Sequence, residues 1–218
     1  MIHNFDRSHW FGASDGKYIF QDYPNRSWND WWKVKCGMAD QNFYGNIYTK
    51  AGNTFEHSIL KAFNSSIRFD RQIIIPELRL RVNLDGNTDD EIFEVKTYQI
   101  DKPFKVSEAY FYQAQLQMFA WESEQYLYFI DVQGCPKVKM KNPPLKKHTI
   151  LAYGLYPDEY YGEYSMEDIE QGNIPIDSKR ILTFEVSRSR GTIRQAKKRL
   201  RKLSQQLVKE EVYERRDS

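Results

Sequence analysis

Leu84-Asp85-Gly86 followed by Phe93-Glu94-Val95-Lys96 is the stretch whose reading decides the fold. In an extended strand side chains alternate between faces, so Glu94 and Lys96 share one face while Val95 turns into the core and offers its carbonyl. A carboxylate and an ammonium therefore stand side by side. Ile73 to Leu84 reads as strand, Asp85-Gly86 as a turn and Ile92 to Thr97 as a second strand, so a hairpin brings Asp85 next to Glu94. Two hard carboxylate oxygens plus the Val95 carbonyl make a site for magnesium, with manganese as a substitute.

Outward from this hairpin, Gly52-Asn53-Thr54 leads into a helix over Phe55 to Phe63, with Phe55, Ile59, Leu60 and Phe63 near helical spacing and Glu56 beside that stripe. A second helix is expected from Val106 to Glu122, with Ala109, Tyr112, Leu116 and Phe119 on its buried side, and then a strand from Gln125 to Val132. Ser27 is the expected N-cap of a helix from Trp28 to Lys35 whose tryptophans form a core wedge. Residues 133 to 185 read as long loops around short strands, one of them Ile181 to Val186. Helices flanking a sheet in this order predict a mixed α/β fold.

With 218 residues, 40% of them hydrophobic, the chain fits one globular domain spanning 1–218, its catalytic core at about 50–132. No apolar run approaches the roughly 20 residues that span a bilayer, so a soluble, cytoplasmic protein without membrane contact is expected. Cys36 and Cys135 match no metal-ligand spacing and read as reduced thiols. The net charge of +2 hides a local excess: between Arg188 and Lys202 there are eight basic residues and no acidic one. This lies in an amphipathic helix at about 190–212 with Ile193, Ala196, Leu200, Leu203 and Leu207 on one stripe, and its basic face is either solvated or set against phosphate. Lys137, Lys139, Lys141, Lys146 and Lys147 form a second basic cluster that fits an edge strand guarded by lysines.

Phosphodiester hydrolysis needs a cation on the phosphoryl oxygens, an activated water and help for the leaving oxygen. Asp85 and Glu94 would hold the metal, Lys96 would orient its water and offset negative charge, and Glu56 would add a third carboxylate. Gln113 is the polar group expected to meet the water or the phosphate. Each element alone is common in proteins, and an ExK tripeptide by itself reads better as a surface pair. The ordered set is what carries information.

That order, Glu56, Asp85-Gly86, Glu94-Val95-Lys96 and Gln113, resembles the PD-(D/E)XK nuclease superfamily and, within it, the YqaJ-type viral recombinases, the group that includes phage lambda exonuclease. Phe11-Gly12-Ala13-Ser14-Asp15 with Trp28 and Trp31 looks like the N-terminal GxSD and tryptophan region of that family. Gly52 to Glu56 looks like its GxxxE helix and Tyr112 to Gln117 like its YxxQxQ helix, so the resemblance covers about residues 7 to 130. It implies metal residues at Glu56, Asp85 and Glu94, a catalytic lysine at Lys96 and a glutamine at Gln113. It also implies a 5′-phosphate pocket at Arg7 and Ser14, with Asn83 where the lambda enzyme has a serine; Thr97-Tyr98 replaces its cysteine-proline. Members digest linear duplex DNA from the 5′ end with magnesium, can form a toroidal trimer, and act with a single-strand annealing protein in phage recombination. The implied setting is thus a phage or prophage protein in the cytoplasm of a bacterial host, a homotrimer on double-stranded DNA ends. A structure- or sequence-specific endonuclease of the same superfamily and a non-catalytic DNA-end-binding accessory protein stay as alternatives.

Overall fold

The computed structural model describes residues 8–39, 46–124, 126–130, 136–140, 145 and 147–217. Helices α1 (Gly16–Ile19), α2 (Arg26–Lys35) and α3 (Ile47–Phe63) precede strands β1 (Arg68–Ile75), β2 (Leu80–Asn87) and β3 (Ile92–Gln99). Helix α4 (Glu108–Glu124), strands β4 (Tyr126–Ile130), β5 (Pro136–Met140) and β6 (Lys147–Leu155), helix α5 (Met166–Gln171), strand β7 (Ile181–Ser187) and helix α6 (Arg190–Asp217) complete the order. The main sheet runs β1-β2-β3-β6-β7. Among the described strands of this sheet β3 and β6 are the parallel pair, and a parallel pair needs a crossover, within which α4 lies. This is the mixed α/β plan, a central mixed sheet flanked by helices, that the sequence leads one to expect.

Helices cover both faces. On one, Ala51, Phe55, Ile59 and Leu60 of α3 pack against Phe93, Val95, Leu151 and Tyr153. On the other, Leu116 and Phe119 of α4 and Ile193, Ala196, Leu200, Leu203 and Leu207 of α6 enclose Leu80, Val82, Leu84 and Ile92. The expected stripe of the basic helix is thus its buried face. No described helix is long and apolar enough to cross a membrane.

Several sequence expectations are corrected. The apolar run from Ile73 to Leu84 is two strands, because Pro76 has no N–H for a ladder and starts a tight turn ending at Arg79 in the left-handed region (φ 47°). Asp85-Gly86 lies inside β2, and the reversal falls at 88–91, closed by the Thr88 N–H to the Glu91 carbonyl at 3.0 Å. Gly86 is there for close packing: a Cβ would sit 2.6 Å from Ile67 Cγ2 and 2.8 Å from Leu60 Cδ2. Helix α3 begins at Ile47, capped by Asn46, so Gly52 lies within it, and the N-cap of α2 is Asn25, which accepts the Trp28 N–H. The expected Gln125 to Val132 strand is β4, which pairs with β5 in a separate two-stranded ribbon. Lys137 and Lys139 fall on β5, whereas Lys141, Lys146 and Cys135 lie outside the described residues. The largest difference is β6, a nine-residue buried strand between β3 and β7 where long loops around short strands are expected.

Candidate active site

Strands β2 and β3 pair only at Gly86–Phe93 and Asn87–Ile92. Beyond that point they part, and Asp85 fills the opening, its Oδ2 accepting the Val95 N–H at 2.8 Å. The hairpin does bring Asp85 beside Glu94. The same opening is the floor of a cavity of about 590 Å³ lined by Ser14, Glu56, Asp70, Arg81, Asn83, Asp85, Glu94, Val95, Lys96 and Gln113, among others. Every candidate named from the sequence lines it except Arg7, which lies outside the described residues.

Alternation along β3 sends Val95 against α3 and Glu94 and Lys96 toward α4. Lys96 Nζ donates to Glu94 Oε1 at 2.5 Å and sits 5.1 Å from the Tyr110 ring centre. From α4, Gln113 Nε2 donates to the same Oε1 at 2.5 Å, and Gln117 Nε2 to Oε2 at 2.5 Å. The two glutamines are four residues apart and so share one helical face.

Electrostatics mark this as a crowded anionic site. Burial first, then Glu94, push the Asp85 carboxyl up to about 8 against the pull of Lys96. Burial, with Asp85, Glu94 and Asp70, likewise raises Glu56 well above the usual carboxylate range. Burial alone would lower the Lys96 ammonium, but Glu94 and Asp85 prevail and hold it above the ordinary lysine value. Carboxylates forced together in a buried opening fit a hard divalent cation, which would relieve their mutual repulsion.

Asp70 was not foreseen from the sequence. It faces the cavity in a left-handed conformation (φ 59°) inside β1, a conformation an aspartate tolerates better than most residues. Ligand atoms of Glu56, His57 and Asp70 all lie within 4.8 Å of one another. His57, however, pairs Nε2 with Asp70 Oδ2 at 3.0 Å and Nδ1 with the Glu170 carbonyl at 2.9 Å, so it orients Asp70. A lone aspartate in a strand gives no spacing signal. Gln117 did carry one, four residues after Gln113.

At the other end of the cavity, backbone bonds from Phe11 N to Arg79 O (2.7 Å) and Arg81 N to Phe11 O (2.8 Å) dock the N-terminal segment on β2. The Gly12 to Asp15 turn is pinned by Asp15, which accepts the Gly12 N–H at 2.7 Å and pairs with buried Lys35 at 2.8 Å. Ser14 is left exposed at the rim. Asn83 Oδ1 accepts from Gln72 Nε2 at 2.9 Å, so Asn83 offers its amide donor, the polarity an anion needs.

A five-stranded mixed sheet opens between β2 and β3, with two carboxylates and a lysine at the opening, and this fold recurs in solved structures. Among solved structures, the chain is similar to an alkaline exonuclease from Laribacter hongkongensis, with a TM-score of 0.60 and 14% identity over 97% of this chain and 94% of that one. The same exonuclease in complex with dAMP gives a TM-score of 0.61. A phage-related exonuclease from Haemophilus somnus 129PT gives 0.58 at 16% identity, over 92% of this chain and 96% of that one. No protein-family model matches the sequence, and no curated protein matches it either.

Proposed function

We propose that the protein is a divalent-metal-dependent exonuclease that degrades linear double-stranded DNA from the 5′ end. The observation that carries this is the convergence of Glu56, Asp70, Asp85, Glu94, Lys96 and Gln113 on one cavity that Ser14 and Asn83 also line. The exonuclease neighbours at TM-scores of about 0.6 support the reading. Asp85, Glu94 and the Val95 carbonyl, with Glu56 and Asp70 behind them, would hold magnesium, with manganese as substitute. The bound cation supplies charge neutralisation on the phosphoryl oxygens.

Lys96 stays protonated between Glu94 and Asp85, so it orients the attacking water and stabilises developing negative charge instead of abstracting a proton. Gln113 commits its Nε2 to Glu94, which makes Oε1 the atom it offers to water. Ser14 and the Asn83 amide stand along the cavity as donors for a terminal phosphate, with Arg7 as their proposed partner. The phage-type setting adds a homotrimer, a single-strand annealing protein and the cytoplasm of a bacterial host to the proposal.

With magnesium, linear duplex is expected to disappear while closed circles survive, and Lys96→Ala is expected to slow digestion by about 10²–10³-fold, the scale of removing one electrostatic contact to a transition state. Inert linear DNA, or digestion that survives Lys96→Ala, rejects the proposal; nicked or cut circles redirect it to an endonuclease. A 5′-phosphorylated end should be degraded faster than a 5′-hydroxyl end, and Ser14→Ala and Arg7→Ala should each reduce that preference.

A further inference from the structure

Behind Glu94 runs a chain of polar side chains that the proposed chemistry does not touch. Gln117 and His148 are both fully buried, on elements whose neighbouring residues Leu116, Met118, Ile150 and Leu151 are buried and apolar. Gln117 Nε2 donates to Glu94 Oε2 at 2.5 Å and lies 3.3 Å from the Asn83 carbonyl oxygen. Both neighbours are acceptors, which fixes the NH₂ end of the amide toward them. Gln117 Oε1 then faces His148 Nε2 at 2.7 Å, and that nitrogen must carry a hydrogen.

The other ring nitrogen, Nδ1, is buried without a hydrogen-bond partner among the described residues. A charged imidazolium would need an acceptor there, so the ring is neutral, in keeping with a pKa lowered to about 4 by burial. A buried polar atom left unsatisfied in the middle of a sheet needs a reason. An aliphatic side chain at 148 would satisfy packing alone. What it would lose is the donor that anchors Oε1 of the Gln117 amide, the end remote from Glu94.

We propose that His148 and Gln117 are positioning residues that fix the plane and rotamer of the Glu94 carboxylate toward the divalent cation. This rests on the reading of the cavity as a metal-dependent nuclease site. His148 orients the Gln117 amide, and Gln117 clamps Oε2 while Lys96 and Gln113 clamp Oε1. The carboxylate is thereby held from three sides before metal arrives. Without the His148 donor, Gln117 Oε1 loses its partner and the amide is held against Glu94 by its NH₂ end alone. Outer partners of metal ligands commonly matter by about 10–100-fold in metal affinity.

The test is a calorimetric titration of Mn²⁺ into DNA-free protein, alongside digestion of linear duplex. His148→Leu and Gln117→Leu are expected to weaken Mn²⁺ binding about 10–100-fold. His148→Gln, which can place a donor near the lost Nε2, should stay within about threefold of the native protein. KM for DNA should not change in any of them, whereas kcat at limiting Mn²⁺ should fall and recover as Mn²⁺ saturates. Folded leucine variants with native Mn²⁺ affinity overturn the relay. If those variants do not fold, Gln117→Asn decides: it keeps the amide but shortens its reach, and native affinity in it overturns the relay equally. Should the native protein bind Mn²⁺ and cleave DNA while the variants are unaffected, only the relay falls. Should the native protein do neither, the reading of the cavity falls and the relay with it.

Discussion

The Asp85 carboxyl, pushed up to about 8 by burial and by Glu94, links the site to pH. Its folded value lies above that of the unfolded chain, so between about pH 4 and 8 the native protein keeps a proton that the unfolded chain has lost. Stability of the metal-free protein should therefore be fully present near pH 4 and decline as pH rises toward 8. Calorimetric melts across that range test this, with Asp85→Asn expected to flatten the profile. A cation must displace the same proton, and that on Glu56 where it too binds, so metal affinity should climb by at least about tenfold per pH unit below 8. Titration at pH 6, 7, 8 and 9 reads this directly, and an affinity independent of pH would contradict the raised carboxyl. Asp85, Glu94 and Lys96 could be found from sequence because their chemistry depends on alternation along neighbouring strands. Asp70 and His57 could not, because their partnership joins β1, α3 and the Glu170 carbonyl across long stretches of chain.

Helix α6 shows at the level of elements what the sequence could foresee. Its apolar stripe follows the 3.6-residue period, and the structure buries Leu200 completely among α6, α4 and β2 side chains. Leu200→Ala should cost about 2–5 kcal/mol, as a large-to-small change in a well-packed core does, and urea unfolding measures it. Gly86→Ala should also destabilise, by about 1–3 kcal/mol, because the added methyl meets Ile67 and Leu60. If Gly86 were the turn residue it resembles in the sequence, the effect would follow backbone geometry instead. Strand β6 carries no such signal, for a different reason. Thr149 to Tyr153 is buried on both faces, so it shows no polar alternation, and its tyrosine and nearby loops imitate irregular chain.

Across the whole molecule, metal binding and folding should be coupled. A cation that binds only the native state adds about 2.7 kcal/mol at a hundredfold excess over its Kd. For a chain of this size that corresponds to a rise in Tm of roughly 5–10 °C. Thermal melts with and without Mn²⁺ should show it, and Asp85→Asn with Glu94→Gln should abolish it. The shift should be larger at pH 8 than at pH 6, because the carboxyls give up their protons more readily there. The sequence by itself determined the α/β class, the buried face of α6 and the Asp85, Glu94 and Lys96 group in the cavity, since these follow from strand alternation, helical period and the chemistry of a few side chains close together in the chain. Only the tertiary structure decided that β6 lies inside the sheet between β3 and β7, that β2 and β3 part at Asp85 to open the cavity, and that Asp70, Gln117 and His148 stand around Glu56 and Glu94. Those arrangements arise from packing between segments remote in sequence, and local propensity carries no record of which distant surfaces will meet.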